Sequence, residues 1–147
     1  MNTRTGVLAD QLARLIDGDA WHGPNLKQLL DGVTGEMAGR KVGPHSIAEL
    51  LAHIDFWNRE LIAVLEGQAY RDVPEDEQWV VGEWEEMKRE AFAHARRLVS
   101  LAASLEDSVL ERRIENRSYT LEVLLHGIAQ HMTYHLGQIA WAKKLST

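Results

Sequence analysis

The chain has 147 residues, a formal net charge of −6 at pH 7, seven His and no Cys. Without Cys, disulfide frameworks, thiolate zinc sites and cysteine nucleophiles are excluded. The acidic balance and the dispersed Lys and Arg argue against a broad nucleic-acid surface, because phosphate binding requires clustered basic side chains.

The N-terminal segment is amphipathic and interrupted by charge, so it lacks the continuous apolar core of a signal peptide. Its apolar spacing predicts a first helix over about 3–17, followed by a short helical piece over 24–32. No apolar run in the chain reaches the ~18 residues that a membrane span requires. We therefore predict one soluble cytoplasmic domain over 1–147, with neither a membrane nor a nucleic acid as partner.

The second predicted helix has the clearest start. Ser46 and Glu49 form an S-x-x-E pattern, which is typical of a capping box at a helix N-terminus. The apolar face continues from there to Gly67, where the helix is expected to end. The acidic, Pro-containing segment 68–82 is predicted as a loop or short turn.

A third helix is predicted over about 83–105 and a fourth from Thr120 to about Lys144, each with a continuous apolar stripe. The stretch 106–119 between them is too long for the tightest hairpin, so a crossover or an extra turn is expected there. Four long amphipathic helices without a strong strand candidate predict an all-α four-helix bundle with a crossover connection and short extra helical turns.

The fourth helix carries three His, of which two share a face. His131 and His135 are four positions apart and so lie about 40° apart around the helix axis, whereas His126 lies about 140° from His131. An H-x-x-x-H pair on a helix is a recurring half-site for a metal ion. The alternative is a pair of core His with hydrogen-bond partners, because an unpaired buried polar group costs about 1–3 kcal/mol.

A metal needs a third ligand from another helix. We choose His53, which lies beside the apolar stripe of the second helix, and His94 on the third helix is the competing candidate. Three neutral imidazoles favour a borderline divalent ion such as Zn or Ni, with water in the remaining positions. His22 and His45 are most simply loop residues.

Two polar residues near the predicted site are candidates for catalysis. Glu60 lies about two turns beyond His53 on the same flank, where it could accept a proton, although a solvated helix carboxylate is the simpler interpretation. Gln138 lies one turn beyond His135 and could orient a water or a ligand, or bond across the bundle.

Three segments of the chain resemble the DinB/YfiT-like superfamily of metalloenzymes. They read WHGPNLKQLL, then SIAELLAHIDFW, and finally HGIAQHMTYHLGQIAWAKKL. The resemblance covers nearly the whole chain, and its most specific element is the run from Gln130 to Ile139. Many relatives have a basic residue after the last His, whereas this chain has Leu136, which removes one possible contact to an anion.

The resemblance implies a four-helix bundle in which a divalent metal is held by His53, His131 and His135. It also implies a homodimer formed through helix faces. Some members of the superfamily are thiol S-transferases, in which a metal activates a low-molecular-weight thiol such as bacillithiol or mycothiol.

Two functional hypotheses follow. The first is a metal-dependent enzyme whose three-His site activates water or a low-molecular-weight thiol, as in a hydrolase or a thiol S-transferase. The second is a non-catalytic dimeric stress-response or ligand-binding bundle, in which the metal is structural or absent. Three protein ligands with exchangeable solvent would favour the first, and closed four-ligand coordination would favour the second.

Overall fold

The computed structural model describes residues 3–146. Over that range the chain forms six α-helices and one short hairpin: α1 Arg4–Ile16, α2 Leu26–Leu30, α3 Gly35–Gly39, β1 Lys41–Val42, β2 His45–Ser46, α4 Ile47–Leu65, α5 Trp84–Ser104 and α6 Leu121–Leu145. Two short 3-10 helices lie in the connections, at Glu75–Gln78 and Asp107–Glu111.

The four long helices form the bundle, so the predicted all-α architecture is confirmed. Helix α4 packs between α5 and α6, and α1 closes the ring by contacting α5 and α6 on the other side. The short helix α2 packs on α6, and α3 packs on α4 and α5. Among residues 3–146, no helix combines the length and the apolarity of a bilayer-spanning segment.

Helices α4 and α5 run in the same direction, although they are consecutive long helices. Asp55 near the middle of α4 bonds His94 at 2.8 Å, and Glu66 just after α4 lies 3.7 Å from Arg97. The connection 66–83 must therefore return along the length of α4 before α5 can begin. This returning segment, which we call the crossover, passes beside the middle of α4.

The connection between α5 and α6 is an extra turn, which is one of the two alternatives predicted for 106–119. It contains the 3-10 helix and an antiparallel bridge between Arg113 and Thr120. Asn116 adopts φ 61° in the tight turn of this segment, a left-handed conformation that Asn tolerates better than most residues. The turn returns the chain so that α6 runs antiparallel to α5.

The hairpin β1–β2 and the helix α3 were not predicted from the sequence. The hairpin pairs Lys41 with Ser46 and Val42 with His45, and Gly43 supplies the positive φ of 68° that its turn requires. Two-residue strands are too short to show the alternation that identifies a strand, so the sequence contains no strong strand candidate at this point.

The predicted capping box at α4 is only half formed. The Ser46 hydroxyl accepts the backbone N–H of Glu49 at 3.1 Å, as expected. The Glu49 carboxylate, however, accepts a bond from the Ser46 hydroxyl and pairs with Lys41 of the hairpin. The second half of the motif is thus replaced by a link between α4 and β1.

Helix α6 is fixed in the bundle by a continuous row of buried side chains. Its inner face is almost fully excluded from solvent and consists of Leu121, Leu125, Ile128, Met132, His135, Leu136, Ile139 and Ala142. The depth of this row sets the rotation of α6 about its axis, and that rotation decides which way its His residues point.

We predict that Leu136→Ala lowers the free energy of unfolding of the metal-free protein by about 2–5 kcal/mol, because Leu136 is fully buried and truncation leaves a cavity. Val7→Ala is the control, since Val7 lies on helix α1 and is 48% exposed. It should change stability by less than about 0.5 kcal/mol. Chemical denaturation measures both values, and equal effects would contradict the described rotation of α6.

Candidate metal centre

Helices α4 and α6 bring three His side chains together in the groove between them. The ring centroids of His53, His131 and His135 are 4.5–4.9 Å apart. One ligand nitrogen from each ring lies within 4.8 Å of the others. In the described part of the chain, this is the one cluster of His, Asp or Glu side chains with the spacing of a metal site.

The other candidate His residues lie outside this cluster. His94, the competing third ligand, is on α5 and bonds the Asp55 carboxylate at 2.8 Å. His126 is exposed on α6, as the helical angle predicts. His22 bonds the carbonyl of Pro24 at 3.1 Å, which fits its expected loop position.

Two of the three His are oriented by hydrogen bonds from Nδ1. His53 donates to the backbone carbonyl of Gln78 at 3.4 Å, and His135 donates to the side-chain oxygen of Gln138 at 2.5 Å. Both acceptors are oxygens that cannot donate, so Nδ1 carries the proton in each ring. The lone pair on Nε2 is then left for a ligand, which is the arrangement that metal-binding His usually have.

His131 differs because neither of its ring nitrogens has a hydrogen-bond partner. Both atoms are buried. Each unsatisfied buried polar atom costs about 1–3 kcal/mol, so the chain retains this side chain at a cost to stability. A cation in the groove would satisfy a ring nitrogen that no described protein group satisfies.

The same burial keeps the cluster uncharged. Burial, followed by the proximity of His135 and His53, lowers the pKa of His131 to about 3. Burial, followed by the proximity of His135, lowers the pKa of His53 to about 4. Burial also lowers the pKa of His135. At neutral pH all three rings are therefore neutral, which is the form that coordinates a metal.

An aromatic stack covers one side of the cluster. Trp79 of the crossover lies parallel to His53 with 3.7 Å between ring centroids, and parallel to His45 with 4.0 Å. At these distances two imidazole rings would overlap if both stacked on the same face of the indole. His53 and His45 therefore lie on opposite faces of Trp79. Its indole nitrogen donates to Glu75 at 2.9 Å. His45 is thus more than the loop residue expected from the sequence.

No pattern in the sequence marks Gln78, Trp79 or His45 as parts of the site. They follow from the path of the crossover and the hairpin, and both segments are short and irregular. A pattern argument could have found them only if the direction of α5 relative to α4 had been known.

The two predicted catalytic side chains have defined contacts. Glu60 pairs with Arg71 at 2.8 Å and is largely covered, whereas Arg71 is mostly exposed. Gln138 is engaged by His135 through the bond described above. These contacts do not test a catalytic role, so the roles of both residues stay predictions.

The donor set fits a divalent cation. In a tetrahedral zinc site with bonds of about 2.0–2.1 Å, ligand nitrogens are separated by ~3.4 Å. The nitrogens here lie within 4.8 Å of one another, so binding an ion would draw the three rings closer together.

Comparison with known proteins identifies the family. The family model described as the DinB superfamily matches residues 20–139, a span that includes all three clustered His. No curated protein and no solved structure gave a match. The match confirms the family resemblance and the helical fold, whereas a family alone does not specify a reaction.

We predict that the metal-free protein loses stability as the pH falls from 7 to 4. In this window the unfolded chain, with His pKa values near the ordinary 6.5, binds protons that His131 and His53 in the folded chain do not bind. The slope of the free energy of unfolding against pH should reach at most about 1.4 kcal/mol per pH unit for each of these two His. Denaturation in the presence of a chelator measures it.

The variant His131→Leu should have a shallower slope in this window and a higher free energy of unfolding at pH 7, because it removes two unpartnered nitrogens. His126→Leu is the matched control on the same helix, since His126 is exposed. It should leave the slope unchanged. Identical slopes in His131→Leu and the unmodified protein would refute the description of His131 as a buried ring with a lowered pKa.

Proposed function

The chain belongs to the DinB superfamily, and we propose that it is a metal-dependent enzyme in which His53, His131 and His135 hold a divalent ion, Zn or Ni by preference. The observation that carries this proposal is the pair of buried, unpartnered nitrogens on His131, beside two rings whose Nδ1 atoms are already bonded. If the three neutral imidazoles only packed in the interior without an ion, the energetic cost of the unpartnered His131 nitrogens would stay unexplained.

Three protein ligands leave coordination positions open, which is typical of catalytic metal sites. When bound, the ion would supply a Lewis acid that lowers the pKa of a water or a low-molecular-weight thiol and so generates a nucleophile near neutral pH. The proposed reaction class is therefore hydrolysis or thiol S-transfer.

The protein groups around the cluster have distinct proposed tasks. The Gln78 carbonyl and the Gln138 side chain hold the rings of His53 and His135 in one tautomer and orientation. Trp79 excludes water from one face of His53. Glu60 is proposed as a proton acceptor, which requires that its ion pair with Arg71 first breaks. Because Arg71 is mostly exposed to solvent, this ion pair contributes little to stability.

We predict that protein purified without a His tag contains about one equivalent of divalent metal, measured by elemental analysis. His53→Ala and His131→Ala should each lose the metal and the thermal stabilisation that added metal provides. His126→Ala is the control and should retain both. If these variants bind metal as well as the unmodified protein, the site is wrong.

Catalysis is tested separately, by a screen of thiol transfer and ester hydrolysis with and without chelator. Turnover that stops with chelator and returns with Zn or Ni supports the enzyme. Stoichiometric metal without any chelator-sensitive turnover would instead support the non-catalytic bundle with a structural metal.

The cytoplasmic location stays a prediction of the sequence.

We also propose that the protein forms a homodimer through the outer face of α6. Three large apolar side chains on that face are exposed, namely Tyr134 (62%), Trp141 (69%) and Leu145 (66%). Trp141 and Leu145 lie seven and eleven positions after Tyr134, close to whole numbers of helical turns, so the three side chains share one side of the helix. A contiguous apolar surface of this kind on a helix is typical of an interface between copies.

We predict that Trp141→Glu shifts the protein from dimer to monomer, because it places a charge in the centre of the apolar face. Val7→Glu is the control, since Val7 is an exposed apolar residue on α1. Light scattering after size exclusion measures the mass of each. A monomeric unmodified protein, or a dimeric Trp141→Glu, would contradict the interface.

A further inference from the structure

The groove between α4 and α6 continues past the His cluster as a cavity of about 340 Å³. Trp57 lies one turn after His53 on α4, and Gly127 lies about one turn before His131 on the antiparallel α6. The cavity is built mainly by Trp57, Tyr70, Tyr119, Leu124, Gly127 and His131. His131 is the member of the cluster that lines it, so the cavity begins where the proposed metal site ends.

The lining of this cavity is aromatic and aliphatic, and it includes no Asp, Glu, Lys or Arg side chain. The indole nitrogen of Trp57 already donates to the Gln78 side chain at 3.1 Å. Burial, followed by the proximity of Tyr119, raises the pKa of Tyr70 to about 12, so the Tyr70 hydroxyl is uncharged at neutral pH. The Trp57 nitrogen is thus already engaged, and the remaining surface of the cavity suits an uncharged apolar group.

The opposite approach to the cluster is covered. Trp79 lies against His53 and is backed by His45, so a ligand could arrive from that side only if the stack opened. A second cavity of about 630 Å³ on that side is lined by His45 and Gln138 but by none of the three clustered His. The cavity at His131 is therefore the better placed of the two for a ligand that also reaches the metal.

We propose that the cavity at His131 binds the uncharged apolar body of the substrate, an aromatic ring or a branched alkyl group, while the reactive polar end of the same molecule reaches the cluster. This inference rests on the metal site proposed above. A volume of about 340 Å³ lies at the small end of ligand pockets, which generally span roughly 300–1,000 Å³, and so suits a body of about one ring with its linker.

Helix α6 offers a matched pair of substitutions to test this. A Cβ added at Gly127 or at Gly137 meets no atom within 4 Å, and neither residue has a positive φ. Leu is also a better helix former than Gly at both positions. Gly127→Leu fills the cavity at His131, whereas Gly137→Leu projects into the second cavity. The two variants differ in the cavity that they fill rather than in the substitution.

The probes are imidazole and 4-phenylimidazole, added to Co²⁺-loaded protein and followed by the visible spectrum of the ion. The unmodified protein and Gly137→Leu should bind 4-phenylimidazole at least about tenfold more tightly than imidazole, because the phenyl group enters the cavity. Gly127→Leu should lose this preference while its affinity for imidazole stays unchanged. A preference that survives Gly127→Leu, or is lost in Gly137→Leu, overturns the proposal, as does the absence of any preference.

A second arm uses metal-free protein and benzyl alcohol, with amide shifts recorded by NMR. Shifts should cluster at Gly127, Tyr119 and neighbouring residues, and should vanish in Gly127→Leu. If the protein fails to bind Co²⁺ but shows these shifts, the proposed metal function fails and the apolar subsite stands. If Co²⁺ binds but benzyl alcohol causes no shifts at these residues, the subsite fails and the metal site stands.

Discussion

The structure depends on one electrostatic constraint, namely that three imidazoles share a groove too dry for any of them to be charged. Burial drives their pKa values down, and two rings are tied by Nδ1 to oxygens that can only accept. The third ring has no partner for either nitrogen. A bundle of this size can carry such a cost because most of its interior is apolar packing.

The path of the chain makes this arrangement possible. Because α4 and α5 are parallel, the crossover must run back along α4, and it delivers Gln78 and Trp79 to the side of His53. A simple up-and-down connection would have left that side of the ring open to water. The same topology places α6 antiparallel to α4, so that the His of one helix meet the His of the other.

The sequence predicted the parts of this structure that obey a helical repeat. The pair His131 and His135, and the exclusion of His126, followed from the angle between successive residues. His53 required a choice among other helices, and its position beside an apolar stripe together with the family resemblance supplied that choice. The crossover contacts were beyond pattern reasoning, because Gln78 and Trp79 lie in irregular backbone whose path is set by long-range packing. The hairpin was missed because its strands are too short to alternate.

The assembly of the cluster from α4 and α6 has a consequence for the order of events during synthesis. His53 lies on α4 and its partners on α6, so a chain synthesised only as far as α5 lacks two of the three residues. Local contacts form sooner than contacts between distant segments, because closing a long loop costs more entropy. An ion that needs all three His would therefore bind only after α6 has docked, and it would stabilise a fold that is already formed rather than start its formation.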